Sequence, residues 1–207
     1  MKAFALLSAA RRLYDDPALP LEQAASSSWQ TGFASGAKWM SLALSVLRNR
    51  PASHQPKFRN YQPFQWLGLQ KYSLALMGAC LATGLGLVLL PSLWSLLSFG
   101  VGGFVFYAIE VQMVFLFPLA LDGEASLWKT SRCWTRKAGG TWAAMRVVLP
   151  LAVVMMMGGL VGQGFRRSWC LGCLSVVLWY EEIRQQDALS HSNVVLVSSS
   201  VSEVEVR

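Results

Sequence analysis

The sequence predicts an all-α, multi-pass membrane bundle of three to four transmembrane helices, preceded by N-terminal amphipathic helices at the interface. Three observations carry that prediction. The chain is 54% hydrophobic and only 14% charged, with a net charge of +7, a balance unsuited to an ordinary soluble domain. The stretch from Tyr72 to Leu121 carries a single formal charge, Glu110, and is interrupted only by Pro91-Ser92. As one helix it would run about 75 Å at about 1.5 Å per residue, more than twice a hydrocarbon core of about 30 Å, so it must fold back on itself. Lastly, the basic residues concentrate beside the apolar runs, where they read as topology determinants and not as a nucleic-acid surface.

The chain divides accordingly. Residues 1–50 hold two amphipathic segments expected at the cytoplasmic face. In the first, Phe4, Leu7, Ala10 and Tyr14 recur at helical spacing until Asp15-Asp16-Pro17 ends the pattern. The opening resembles a signal peptide, but its apolar run is short, ends in Arg11-Arg12 and offers no small-residue cleavage site, so it is read as retained. In the second, Trp29, Phe33, Gly36, Met40, Leu44 and Leu47 fall three and four apart. Its apolar core is too short to span, which favours an in-plane helix.

Residues 51–71 read as a basic, proline-rich linker lying against anionic headgroups. Residues 72–121 form the transmembrane hairpin, 122–146 a basic cytoplasmic loop, 147–184 a second membrane hairpin whose last helix is short, and 185–207 a polar tail. The tail's alternating valines suggest either irregular structure or an unpartnered strand. Nine basic and three acidic residues in 1–71, and five basic residues in 122–146, put both segments in the cytoplasm by the positive-inside rule. Arg166-Arg167 would then lie outside, against that rule.

Candidate chemistry is sparse. Glu110 sits deep in the second span, where a bare carboxylate costs at least about 3 kcal/mol. It must be protonated, paired or hydrated. No Lys or Arg lies within the spans as read, so an ion pair inside the chain is not expected unless Arg146 reaches in. Cys170 and Cys173 form Cys-Leu-Gly-Cys, a spacing that permits a reversible disulfide but also suits two small packed side chains. Two thiols without a second pair or a nearby His do not make a zinc site. The only histidines, His54 and His191, lie outside the spans. No metal or cofactor is therefore expected, although lipid, quinone or pigment contact is compatible with the composition. There is no phosphate-binding loop, His-Glu-x-x-His, Gly-x-Ser-x-Gly or dinucleotide fingerprint.

Small residues give the more coherent pattern. Gly78, Ala82 and Gly86, Ser98 and Gly102, and Gly158 and Gly162 each line one helical face, where backbones approach closely in lipid. Trp29, Trp39, Phe64, Trp66, Tyr72, Trp142 and Trp169 stand near the ends of apolar runs, as membrane-interface aromatics do. The sequence thus favours a non-catalytic accessory or scaffold subunit of a larger membrane complex, in a bacterial cytoplasmic (inner) membrane with its N-terminus cytoplasmic. Its partners would be the bilayer and other integral-membrane subunits. The alternatives are a membrane thiol-disulfide oxidoreductase using Cys170 and Cys173, and a small proton-coupled transporter centred on Glu110.

Overall fold

The computed structural model describes residues 2–19, 21–22, 32–48, 61–89, 95–160 and 164–204, with side chains from residue 190 onward not described. Trp29, Gly162, the Pro91-Ser92 turn and linker residues 51–60 lie outside the described residues. The regular structure of the described residues is entirely helical: α1 (Lys2–Tyr14), α2 (Phe33–Leu47), α3 (Gln62–Leu89), α4 (Ser95–Gln112), α5 (Leu116–Leu121), α6 (Leu127–Lys137), α7 (Gly140–Leu160) and α8 (Phe165–Val204). Three helical stretches are long and apolar enough to cross a membrane: Gln62–Leu89, Leu96–Leu121 and Gly140–Gly158.

Helix α3 begins ten residues before the span read at Tyr72, so residues 62–71 are helix and not linker. The reason is local. Pro63 falls in the first turn, where its missing N–H would have no intrahelical partner in any case. The return strand of the hairpin is broken at Met113–Phe115, where Met113 and Leu116 donate to the carbonyls of Glu110 and Met113. Pro118 accounts for the break, because its ring in a continuous helix would clash with the carbonyl four residues earlier.

The loop expected over 122–146 is instead largely helical. Gly123, at φ 80°, turns the chain out of α5. Gly139 and Gly140, at φ 99° and 84°, turn it from α6 into α7, a left-handed pair that other residues adopt at a cost. The tail also differs from expectation, since α8 continues through Val204. Valine lowers helix propensity by less than about 0.7 kcal/mol, so its presence does not force a strand where the helical ladder is already running.

Two regions of contrasting exposure result. The hairpin of α3 and α4 presents Leu76, Met77, Leu81, Leu85, Val88, Leu96 and Phe99 outward. Below it, Val111 and Phe115–Phe117 are buried with Ala144, Met145, Leu151, Leu174, Val177, Trp179 and Tyr180. Helix α1 lies antiparallel along α8, with Lys2 paired to Glu182 at 3.1 Å and Asp15 to Arg167 at 2.6 Å. Its Ala3, Leu6, Ala10 and Tyr14 face is buried there, while α2 buries Ala37, Met40, Ala43 and Leu44 against α3, α5 and α8. Part of the apolar faces expected to rest on a bilayer is thus covered by the chain itself, while Phe4 of the first stripe stays exposed.

Candidate functional site

The chemistry-bearing residues gather at the foot of the α3–α4 hairpin. Glu110 does have a partner in its own chain: its Oε1 lies 2.7 Å from Nζ of Lys71. Starting α3 at Gln62 places Lys71 inside the helix, one residue before the apolar run that the sequence reading took as the span. Lys71 is only 4% exposed. Its ammonium lies 5.2 Å from the Tyr72 ring centroid and 5.8 Å from that of Phe117. Phe33 stacks on both rings, at 5.4 and 6.1 Å, and Phe64 stacks on Phe117 at 6.4 Å. Gly68 makes room for this box, because a Cβ there would meet the Phe33 ring.

The arrangement holds a buried cation by a carboxylate and by aromatic faces, each worth roughly 0.5–2 kcal/mol to the cation depending on desolvation. Glu110 Oε2 is buried and has no hydrogen-bond partner among the described residues. Cys173 lies within electrostatic reach of Lys71, so α8 also borders the pair.

A second polar cluster joins α2, α5 and α8 and was missed in the sequence, where its members look like unrelated helix-end charges. Arg48 donates to both Asp122 oxygens at 2.7 and 2.9 Å and through Nε to Glu181 Oε1 at 2.9 Å. Tyr180 donates to Asp122 Oδ2 at 2.7 Å, and Arg184 stands 3.5 Å from Glu181. Burial pushes the Asp122 carboxyl up, but the hydrogen bonds from Arg48 and Tyr180 outweigh it and hold the group below the usual carboxylate range. The visible signal was that Arg48 and Asp122 are each the first charge after an apolar run.

The two cysteines expected as a redox pair lie near the start of α8. Cys170 is buried and Cys173 half-buried, and the two are not joined in a disulfide. Burial pushes the Cys170 thiol up to about 11 and the Cys173 thiol up to about 12, which disfavours the thiolate that exchange chemistry uses. Among the described residues no group of three or more His, Cys, Asp or Glu is placed to hold a metal ion.

The small residues do bring helices together, but within this chain. Gly78 faces Ile109 and Val105, Gly86 faces Ser98, and Gly102 lies against Thr83 and the carbonyl of Ala79. Ala82, on the same stripe of α3, is half-buried. Gly158 meets Ser168 of α8.

The interface aromatics divide. Trp66 and Trp142 are exposed, and Trp142 leans on Phe104 at 5.7 Å. Tyr72 and Trp169 are half-buried. Trp39 and Phe64 are not at a surface: Trp39 is buried and donates from Nε1 to the Leu21 carbonyl at 3.1 Å, and Phe64 is buried in the aromatic box. Both stand at helical positions facing the bundle, which spacing from an apolar boundary does not reveal.

No protein-family model matches the sequence, and comparison with curated proteins and with solved structures finds no significant match.

Proposed function

We propose that the chain is an integral membrane protein anchored by the α3–α4 hairpin, and that it serves as a non-catalytic scaffold or accessory subunit of a membrane assembly. The observation carrying this is the exposed apolar surface of the hairpin above the Lys71–Glu110 pair. From Lys71 to Leu89 the helix runs about 27 Å at about 1.5 Å per residue, close to the thickness of a hydrocarbon core. The ion pair then sits at one edge of the apolar slab, not deep in its middle.

The remaining helices are assigned to one side of the bilayer. Arg11 and Arg12 are exposed on α1, which lies along α8, and the Asp15–Arg167 pair ties the N-terminal segment to the start of α8. Embedding α8 would carry those arginines into lipid, at about 2.5–3.5 kcal/mol or more each near mid-bilayer. Keeping α1, α7 and α8 on the cytoplasmic side avoids that cost and brings Arg166-Arg167 into accord with the positive-inside rule. On this reading there are two spans, fewer than the three to four expected, and α7 rests its exposed Trp142, Val153, Met156 and Met157 on the membrane surface.

The scaffold role is favoured because the buried charges of the two polar clusters, Lys71 with Glu110 and Arg48 with Asp122 and Glu181, are paired with one another. Because the small-residue faces close the hairpin itself, partners would meet the outward Leu and Phe side chains instead. The test is alkaline extraction of membranes, followed by gentle-detergent purification with mass spectrometry of retained proteins. The chain should resist extraction and retain defined integral-membrane partners in fixed proportion. Release by alkali overturns the membrane assignment, and a homogeneous lone species overturns the scaffold.

A further inference from the structure

Helix α6 carries a basic face that no carboxylate among the described residues neutralises. Lys129, Arg132, Cys133 and Arg136 recur at positions i, i+3, i+4 and i+7, so they share one side of the helix, and all four are exposed. None of the three cations has a carboxylate partner among the described residues, whereas Lys137, at the edge of this face one turn beyond Cys133, is paired to Asp187 at 2.7 Å. Between Leu127 and Lys137 there is no acid.

The opposite side of α6 is fixed. Ser131 and Thr135 are buried and donate to the carbonyls of Gln112 and Val111 at 2.8 and 3.1 Å. Those carbonyls belong to the end of α4, where Pro118 interrupts the helix and leaves them without backbone donors four residues on. Trp134 stacks on Tyr180 at 4.6 Å and holds the helix from a third direction. The basic face is therefore rigidly mounted at the residues just after Glu110, where the exposed apolar surface of the hairpin gives way to the packed body.

We infer that the Lys129, Arg132 and Arg136 face of α6 binds the headgroups of anionic phospholipids at the foot of the hairpin. The inference rests on the membrane reading above. Charge decides the ligand class: three unpaired cations within two helical turns attract phosphate at about 1 kcal/mol each near an anionic surface, and a zwitterionic surface offers no such gain. Position decides the source, since this face is held beside the apolar anchor where headgroups lie.

Cys133 sits among the cations and is exposed, which makes it the reporter. The purified protein carrying Cys80→Ser is reconstituted into vesicles of phosphatidylcholine alone or mixed with phosphatidylglycerol. Vesicles are floated to establish incorporation, and bimane labelling of Cys133 is timed. Labelling should slow roughly tenfold when phosphatidylglycerol is present and recover at high salt, where such attraction is screened. Combined Lys129→Gln, Arg132→Gln and Arg136→Gln should abolish the protection, while Lys129→Arg, Arg132→Lys and Arg136→Lys together should keep it. Equal labelling in both vesicle types overturns the inference. So does equal protection by inorganic phosphate in detergent, which would assign the face to the free anion. Failure to float with either vesicle overturns the membrane reading instead.

Discussion

Lys71 and Glu110 show how two costly residues make one tolerable feature. Each alone would be a buried charge; together at 2.7 Å, with aromatic faces around the cation, they are compensated. Lys71→Met should lower stability by about 3–5 kcal/mol, because Glu110 is left buried and unpaired. Lys71→Met with Glu110→Leu should restore most of the loss. Thermal unfolding in detergent across this double-mutant cycle checks it, and additive losses would mean that the pair is not coupled. Asp122 makes a different prediction. Its folded value lies below that of the unfolded chain, so its stabilisation is fully present above about pH 4 and disappears as pH falls through the folded value. Asp122→Asn should flatten that acid limb of the unfolding profile.

At the scale of elements, the hairpin depends on backbone proximity more than on side-chain volume. Gly102 abuts Thr83 and the Ala79 carbonyl, so a side chain there must push α4 away from α3 over its whole upper half. Gly102→Leu should cost about 1–3 kcal/mol through overpacking. Gly103→Ala, at an open position one residue on, should be near neutral. Equal thermal shifts for the two variants would show that close approach is not what holds the hairpin. A second close approach sets Ser98 of α4 against Gly86 of α3, and the buried Ser98 hydroxyl has no hydrogen-bond partner among the described residues. An unmatched buried hydroxyl costs about 1–3 kcal/mol, and the contact with Gly86 does not explain serine in place of the smaller alanine. Helix α6 illustrates the converse case, in which two hydroxyls anchor a helix whose remaining surface is free to face a ligand.

For the whole molecule, the legible part of the fold was the part set by length and local composition. A charge-poor run twice as long as a bilayer is thick must form a hairpin, and small residues spaced by four mark where its arms touch. What escaped was set by contacts distant in sequence. Nothing near Lys71 announces Glu110, and nothing near Arg48 announces Asp122 or Glu181. Pro63 looked like a breaker because its place in a first turn is known only once the helix start is known. The amphipathic stripes of α1 and α2 specified burial without specifying against what, so a bilayer and the side of α8 were equivalent answers. The packing of α1 along α8 carries the remaining topological consequence. If the Asp15–Arg167 pair forms in the membrane-bound protein, the N-terminal helix and the start of α8 occupy the same side. Cysteines placed singly at Ser8 and Phe165, both exposed positions, in a cysteine-free background should then react with an impermeant maleimide from the cytoplasmic face of inverted vesicles. Neither should react in intact cells. Labelling of the Phe165 position from outside would instead mean that α7 crosses the bilayer and that α1 meets α8 only after extraction.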